Sequence, residues 1–131
     1  MSGVLLDTNA FLQFGFDSRR APPPAAIYGR ELFVSQVCAI EMAIKHSVGK
    51  LALPPSYALS FENGFDETVR ELALTVLPIA LPHVSALARL PFHHRDPFDR
   101  LMICQALVEN LAIVSRDCKF HLYAGLELID I

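Results

Sequence analysis

The chain offers little to staple or anchor it. Its three cysteines, Cys38, Cys104 and Cys118, form no CxxC pair, and two lie inside apolar helical runs. That arrangement argues for free thiols in a reducing compartment over disulfides or a zinc site. No apolar run approaches the roughly 18 residues of a membrane span, so no membrane partner is expected. The start, MSGVLLDTNAF, lacks a basic n-region and its apolar stretch is cut by Asp7, so no signal peptide is expected and the expected location is cytoplasmic. Charge is also sparse, at 19% of residues with a net of −3, and the broad basic footprint of a general nucleic-acid binder is missing. Repeats, low-complexity tracts and domain boundaries are absent from the sequence.

What is abundant is apolar surface, at 53% of 131 residues. A chain of this length is expected to fold as a single domain over 1–131 and to bury roughly two thirds of its unfolded surface. Short runs rich in strand formers occur at 4–7, 32–35, 72–79, 111–115 and 126–131. Helical patterns fall between them at 8–14, 24–30, 35–48, 56–70, 81–90 and 97–110, with a helical turn at 117–123. Gly49 ends the 35–48 helix, LPPS after it is a linker, and RRAPPPAA is a loop carrying a basic pair. This alternation predicts an α/β fold: a three-layer α/β/α sandwich around a parallel sheet of about five strands.

The carboxylates are where local structure stops being a sufficient explanation. Asp96, followed by Pro97, reads as the N-cap of the 97–110 helix. Asp99 then meets the positive end of the helix dipole, which could be its whole role. Yet it shares a face with Met102, Ile103, Ala106 and Leu107 on a helix that is apolar nearly all round. A carboxylate there needs a partner, a proton or a cation. Glu41 lies inside the stripe formed by Val37, Ile40, Ile44 and Val48, with Ala39, Met42 and His46 on the expected exposed side. It could pair with a buried arginine, sit at a rim, or share Asp99's problem. Asp7 and Asp117 each follow a strand and could cap the next turn, but in a parallel sheet both would reach the same edge. Two carboxylates about 4 Å apart repel by about 4 kcal/mol at an effective dielectric of about 20. Convergence of four would therefore call for a hard divalent cation, with magnesium or manganese favoured over zinc.

The segments LLDTN at 5–9, SQVCAIE at 35–41, DPFDRLMICQA at 96–106 and SRD at 115–117 resemble the acidic motifs of PIN-domain ribonucleases, and more closely the toxins of bacterial VapBC toxin–antitoxin pairs. Each motif alone is unspecific, but four in this order cover essentially the whole chain. The resemblance implies a Mg²⁺-dependent endoribonuclease, with Mn²⁺ as a substitute. Asp7, Glu41, Asp99 and Asp117 would be the metal-binding and catalytic residues, with Glu41 either a ligand or the group that deprotonates water. Asn9 matches a polar position near the metal, Ser115 a hydroxyl usually supplied by threonine, and Asp96 the cap before the main aspartate. A VapB-like antitoxin and self-pairing as a homodimer are the implied partners, with Phe11, Phe14 and Phe16 as an expected docking surface.

Arg95, Arg100, Arg116 and Lys119 adjoin these motifs and are candidates for RNA phosphate contacts, or for ordinary surface charges. His93 and His94 are expected to be uninvolved loop residues, while His121 and Tyr123 are base-stacking candidates by position alone. Two other readings compete. A catalytically silent PIN-like partner-binding module would have no need of four filled acidic positions. An acidic α/β phosphatase usually has an aspartate where Asn9 stands, and only Lys119 is placed to serve as its late lysine.

Overall fold

The computed structural model describes residues 2–17 and 22–131; the basic pair Arg19 and Arg20 lies outside the described residues. Five short strands, β1 (Val4–Leu6), β2 (Leu32–Ser35), β3 (Thr75–Leu77), β4 (Ala112–Ser115) and β5 (Leu128–Asp130), pair in parallel in the order β3-β2-β1-β4-β5. Helices α1 (Thr8–Phe16), α2 (Gln36–Ser47), α3 (Phe61–Glu71), α4 (Leu81–Leu87) and α5 (Pro97–Glu109) cover the sheet, giving the expected three layers. Leu5 pairs with Phe33 on one side and Ile113 on the other, so β1 is the middle strand.

Alternation along β1 divides the core. Val4 and Leu6 face a cluster with Phe11, Phe14, Met42 and Phe65, whereas Leu5 faces Met102, Ile103, Ile113 and Phe120. The central strands β1 and β4 are buried on both faces, which is why they read as continuous apolar runs, whereas β3 at the edge is largely exposed. Cys38 and Cys104 are buried and Cys118 is exposed, all three as free thiols. No helix of the described residues is long and apolar enough to cross a membrane.

Several sequence expectations are corrected. The 24–30 helix is a single 3₁₀ turn at Ala25–Ile27, because Tyr28 is extended and Gly29 has a φ of +75°. The 56–70 helix is broken into a 3₁₀ turn at Pro55–Tyr57 and α3, whose start is capped by Ser60. The strand expected at 72–79 shrinks to three residues, since Leu72 still closes α3 and Ala73 is left-handed. On α2 the buried face is Val37, Cys38, Glu41 and Met42, leaving Ile40 (44%), Ile44 (48%) and Val48 (61%) exposed. Phe11 and Phe14 do not form a docking surface: they are buried, with Phe11 stacked on Phe65 at 5.3 Å.

One packing constraint lies in α3. A Cβ on buried Gly64 would come within 2.4 Å of the Tyr57 ring, whose hydroxyl is fixed to the Thr68 hydroxyl at 2.8 Å. In an open helix Gly→Ala stabilises by roughly 0.5–1 kcal/mol. Here overpacking is expected to win, lowering stability by about 1–3 kcal/mol for Gly64→Ala. Urea unfolding reads the sign, and a variant as stable as the parent would show that the ring yields without cost.

Candidate functional site

The strand order reverses beside β1: the chain steps outward to β2 and β3, then returns to β4 and β5 on the other side. A crevice is expected where such a reversal occurs, at the carboxyl ends of the strands. Asp7 leaves β1 at that point. Its amide extends the ladder by donating to the Val114 carbonyl at 3.1 Å, and its Oδ1 caps α1 by accepting from the Ala10 amide at 2.8 Å. Ser115, the last residue of β4, is fully buried and its hydroxyl bonds the Asp7 carboxylate. The same hydroxyl accepts from the Asp117 amide at 2.9 Å, so one side chain ties the ends of β1 and β4 together.

Glu41 enters from α2 and is 4% exposed. Its Oε1 accepts from the Thr8 hydroxyl at 2.5 Å and its Oε2 pairs with Lys45 Nζ at 2.6 Å, one helical turn on. Asp99 enters from the first turn of α5, where Asp96 caps the helix by accepting from the Phe98 and Asp99 amides. Asp117 caps the following 3₁₀ turn through the Lys119 amide at 2.9 Å. The cap readings of Asp7, Asp96 and Asp117 thus coexist with their convergence on one place.

Electrostatics shows how crowded that place is. Burial, and then the charges of Asp96, Asp7, Glu41 and Asp117, push the Asp99 carboxyl up to about 8. Asp7 is also raised, chiefly by burial, against the Ser115 and Ala10 hydrogen bonds that favour its charged form. Partial burial works upward on Asp117 too, but the Lys119 amide and a hydrogen bond from His94 carry it below the ordinary carboxylate value. The Lys45 ammonium is raised, first by its bond to Glu41 and further by the charges of Asp96 and Asp99. Oxygen donors, excess negative charge and a carboxyl whose proton a cation would displace suit a hard divalent ion. Among the described residues, His94, Asp99 and Asp117 each place one potential ligand atom within 4.8 Å of the others, and Asp7 and Glu41 add their charge to the same edge.

Other expectations fare unequally. Asn9 is exposed and lines, with Gln13, Phe16, Asp17 and Arg116, an open cleft of about 430 Å³ beside the carboxylates. Arg116 donates to Gln13 Oε1 at 2.9 Å, and its charge is felt by Asp7. Arg95 and Lys119 are exposed. Arg100 is not available to a phosphate: it is 6% exposed and donates to the carbonyls of Leu90, Pro91 and His94, bracing the loop before α5. Tyr123 is buried against His93 and presents no face to a base, while His121 is exposed.

His94, expected to be a bystander, is in the site, with Nε2 at 2.7 Å from Asp117 Oδ2 and 3.1 Å from Asp99 Oδ2. Thr8 and Lys45 were also missed. Lys45 had a usable signal in its i, i+4 spacing from a buried glutamate; His94 had none.

Asp99 generates a signed prediction. It holds its proton up to about pH 8 when folded but only to its ordinary value of 3.8 when unfolded. Between those values the folded state binds the extra proton, so stability falls as pH rises. In chelator, Asp99→Asn is expected to equal the parent at about pH 4 and to exceed it increasingly towards about pH 8. Urea midpoints across that range test this, and a gap independent of pH would refute the crowding.

A search of curated protein sequences finds no match. Among solved structures the chain resembles the crystal structure of VapBC2 from Rickettsia felis bound to a promoter DNA fragment, at 15% identity and a TM-score of 0.69, with 98% of each chain covered. It also resembles DNA-bound VapBC from Salmonella typhimurium, at 19% identity and a TM-score of 0.67, covering 99% of this chain and 98% of that one. VapBC-5 from Mycobacterium tuberculosis, a member of the VapBC family of toxin–antitoxin systems, is 20% identical with a TM-score of 0.64 over the whole of both chains. At these identities the likeness speaks for the fold. The family profile described as PIN domain matches residues 4–126, the stretch that contains every one of the converging carboxylates; the chain belongs to the PIN-domain family.

Proposed function

We propose that this chain is a metal-dependent endoribonuclease acting as the toxin of a VapBC-type toxin–antitoxin pair. The observation that carries the reading is the approach of Asp99 and Asp117, with His94, to within 4.8 Å at an edge where Asp7, Glu41 and Asp96 add further negative charge. The neighbouring structures described as VapBC toxin–antitoxin or DNA-bound complexes support the assignment to such a pair. A VapB-like antitoxin, a homodimer and a cytoplasmic setting belong to the same proposal.

Asp7, Asp99 and Asp117 would hold the cation, Mg²⁺ or its substitute Mn²⁺. Bound there, it would acidify a water and offset charge on the leaving oxygen of the phosphodiester. The chain's own contributions follow from the geometry. Ser115 and the Ala10 amide favour the charged form of Asp7 against its burial, and the Ala10 bond aims it. Glu41 is fixed by Thr8 on one oxygen and Lys45 on the other, so it either completes the ligand set or orients the attacking water. Arg95, Arg116 and Lys119 are exposed and would meet the RNA backbone, and the cleft lined by Asn9, Gln13 and Arg116 would receive a flanking nucleotide.

The test uses purified protein freed of antitoxin, incubated with total cellular RNA in Mg²⁺, Mn²⁺ or chelator. Cuts at a few mapped sites are expected with either metal and none in chelator. Asp99→Asn should lose more than the roughly 10–100-fold that removal of an outer-shell partner costs at a metal site. RNA left intact under every condition, together with no binding of Mn²⁺, would overturn the enzyme in favour of the silent binding module.

A further inference from the structure

We infer that His94 is a positioning residue of the acidic centre, an N–H donor that holds Asp117 beside Asp99 rather than a nitrogen ligand. The inference rests on the metal-dependent reading above and deepens it. Proximity alone suggests the opposite, since His94, Asp99 and Asp117 each place one potential ligand atom within 4.8 Å of the others. The second ring nitrogen decides the matter. Nδ1 lies 3.1 Å from the Asp96 backbone amide, which always carries a hydrogen. Nδ1 must therefore present its lone pair, and the single proton of a neutral imidazole sits on Nε2. That N–H donates to Asp117 Oδ2 at 2.7 Å, and Asp99 Oδ2 lies 3.1 Å from the same nitrogen. To ligate a cation through Nε2 while accepting from Asp96, the ring would have to give up its last proton.

The rest of the loop fixes the ring in this role. The His94 carbonyl accepts from Arg100, which also holds the carbonyls of Leu90 and Pro91. The Arg100 guanidinium lies 3.8 Å over the Phe92 ring, and the imidazole stands edge-on to Phe120 at 5.7 Å. Asp99 belongs to α5 and Asp117 to the turn after β4, and the His94 imidazole lies between their carboxylates. Partners of this kind orient metal-binding carboxylates, and their loss typically costs about 10–100-fold in metal affinity.

The experiment measures Mn²⁺ binding to the full chain, freed of antitoxin, by the EPR signal of the unbound ion. His94→Ala is expected to weaken binding about 10–100-fold, and His94→Gln, which keeps an N–H donor, to recover most of it. Circular dichroism and melting confirm that each variant folds. On the parent protein, long-range ¹H–¹⁵N spectra should place the His94 proton on Nε2, and pulsed EPR of bound Mn²⁺ should show no directly bonded nitrogen. A directly bonded nitrogen, a proton on Nδ1, or parental affinity in His94→Ala would each overturn the role. Parent protein that binds no Mn²⁺ would overturn the metal-dependent reading as well, whereas a failure confined to the variants touches His94 alone.

Discussion

The parallel pairing of β1 with β2 on one side and β4 on the other is the constraint on which the acidic edge depends. Only three residues of β1 are in the ladder, yet they are fully buried and locked in register with two neighbours. The Asp7 amide continues the pairing to β4 by one further bond, so the carboxylate is launched from a fixed backbone. Ser115 then repeats the link at side-chain level. Asp7 and Asp117, more than a hundred residues apart in sequence, are held within the reach of one hydroxyl.

Everything around this edge manages negative charge. Ordinary packing would separate like charges, because their repulsion grows as water is excluded. Here the answer is distributed. Lys45 neutralises Glu41, Arg116 offsets Asp7, amides at the starts of two helical turns serve Asp96 and Asp117, and Asp99 keeps a proton. Each device is local and modest. Together they leave an edge still rich in carboxylate oxygens, the donor type that hard cations take.

Much of the fold could be read from the sequence because strands buried on both faces and helices with capping residues leave local signatures. Asp7, Asp96 and Asp117 were legible for the same reason: each stands at an element boundary, where caps are needed. Asp99 was legible as a carboxylate on a buried face. Glu41 was found on a helix whose phase was misjudged, since Ile40, Ile44 and Val48 have the spacing of a core stripe yet face outward. Periodicity identifies a stripe and does not say what covers it. His94 and Arg100 failed in complementary ways. The loop histidine gained its role from partners in α5 and after β4, and the motif arginine lost its presumed role to three backbone carbonyls of its own loop. Neither set of contacts has a spacing that sequence alone could reveal.

The two halves of the centre also differ in how much of the chain must be in place to build them. His94, Asp96, Asp99 and Arg100 come from one short segment, and their mutual bonds close loops of a few residues. The Thr8–Glu41 bond spans 33 residues, His94–Asp117 spans 23, and the Arg116–Gln13 bond spans 103. Contacts of high sequence separation form late, after the cost of closing long loops has been met. The centre is therefore assembled only when β1 and β4 lie side by side. A nascent or locally opened chain carries the acidic motifs without the geometry, so competence at this edge coincides with completed folding.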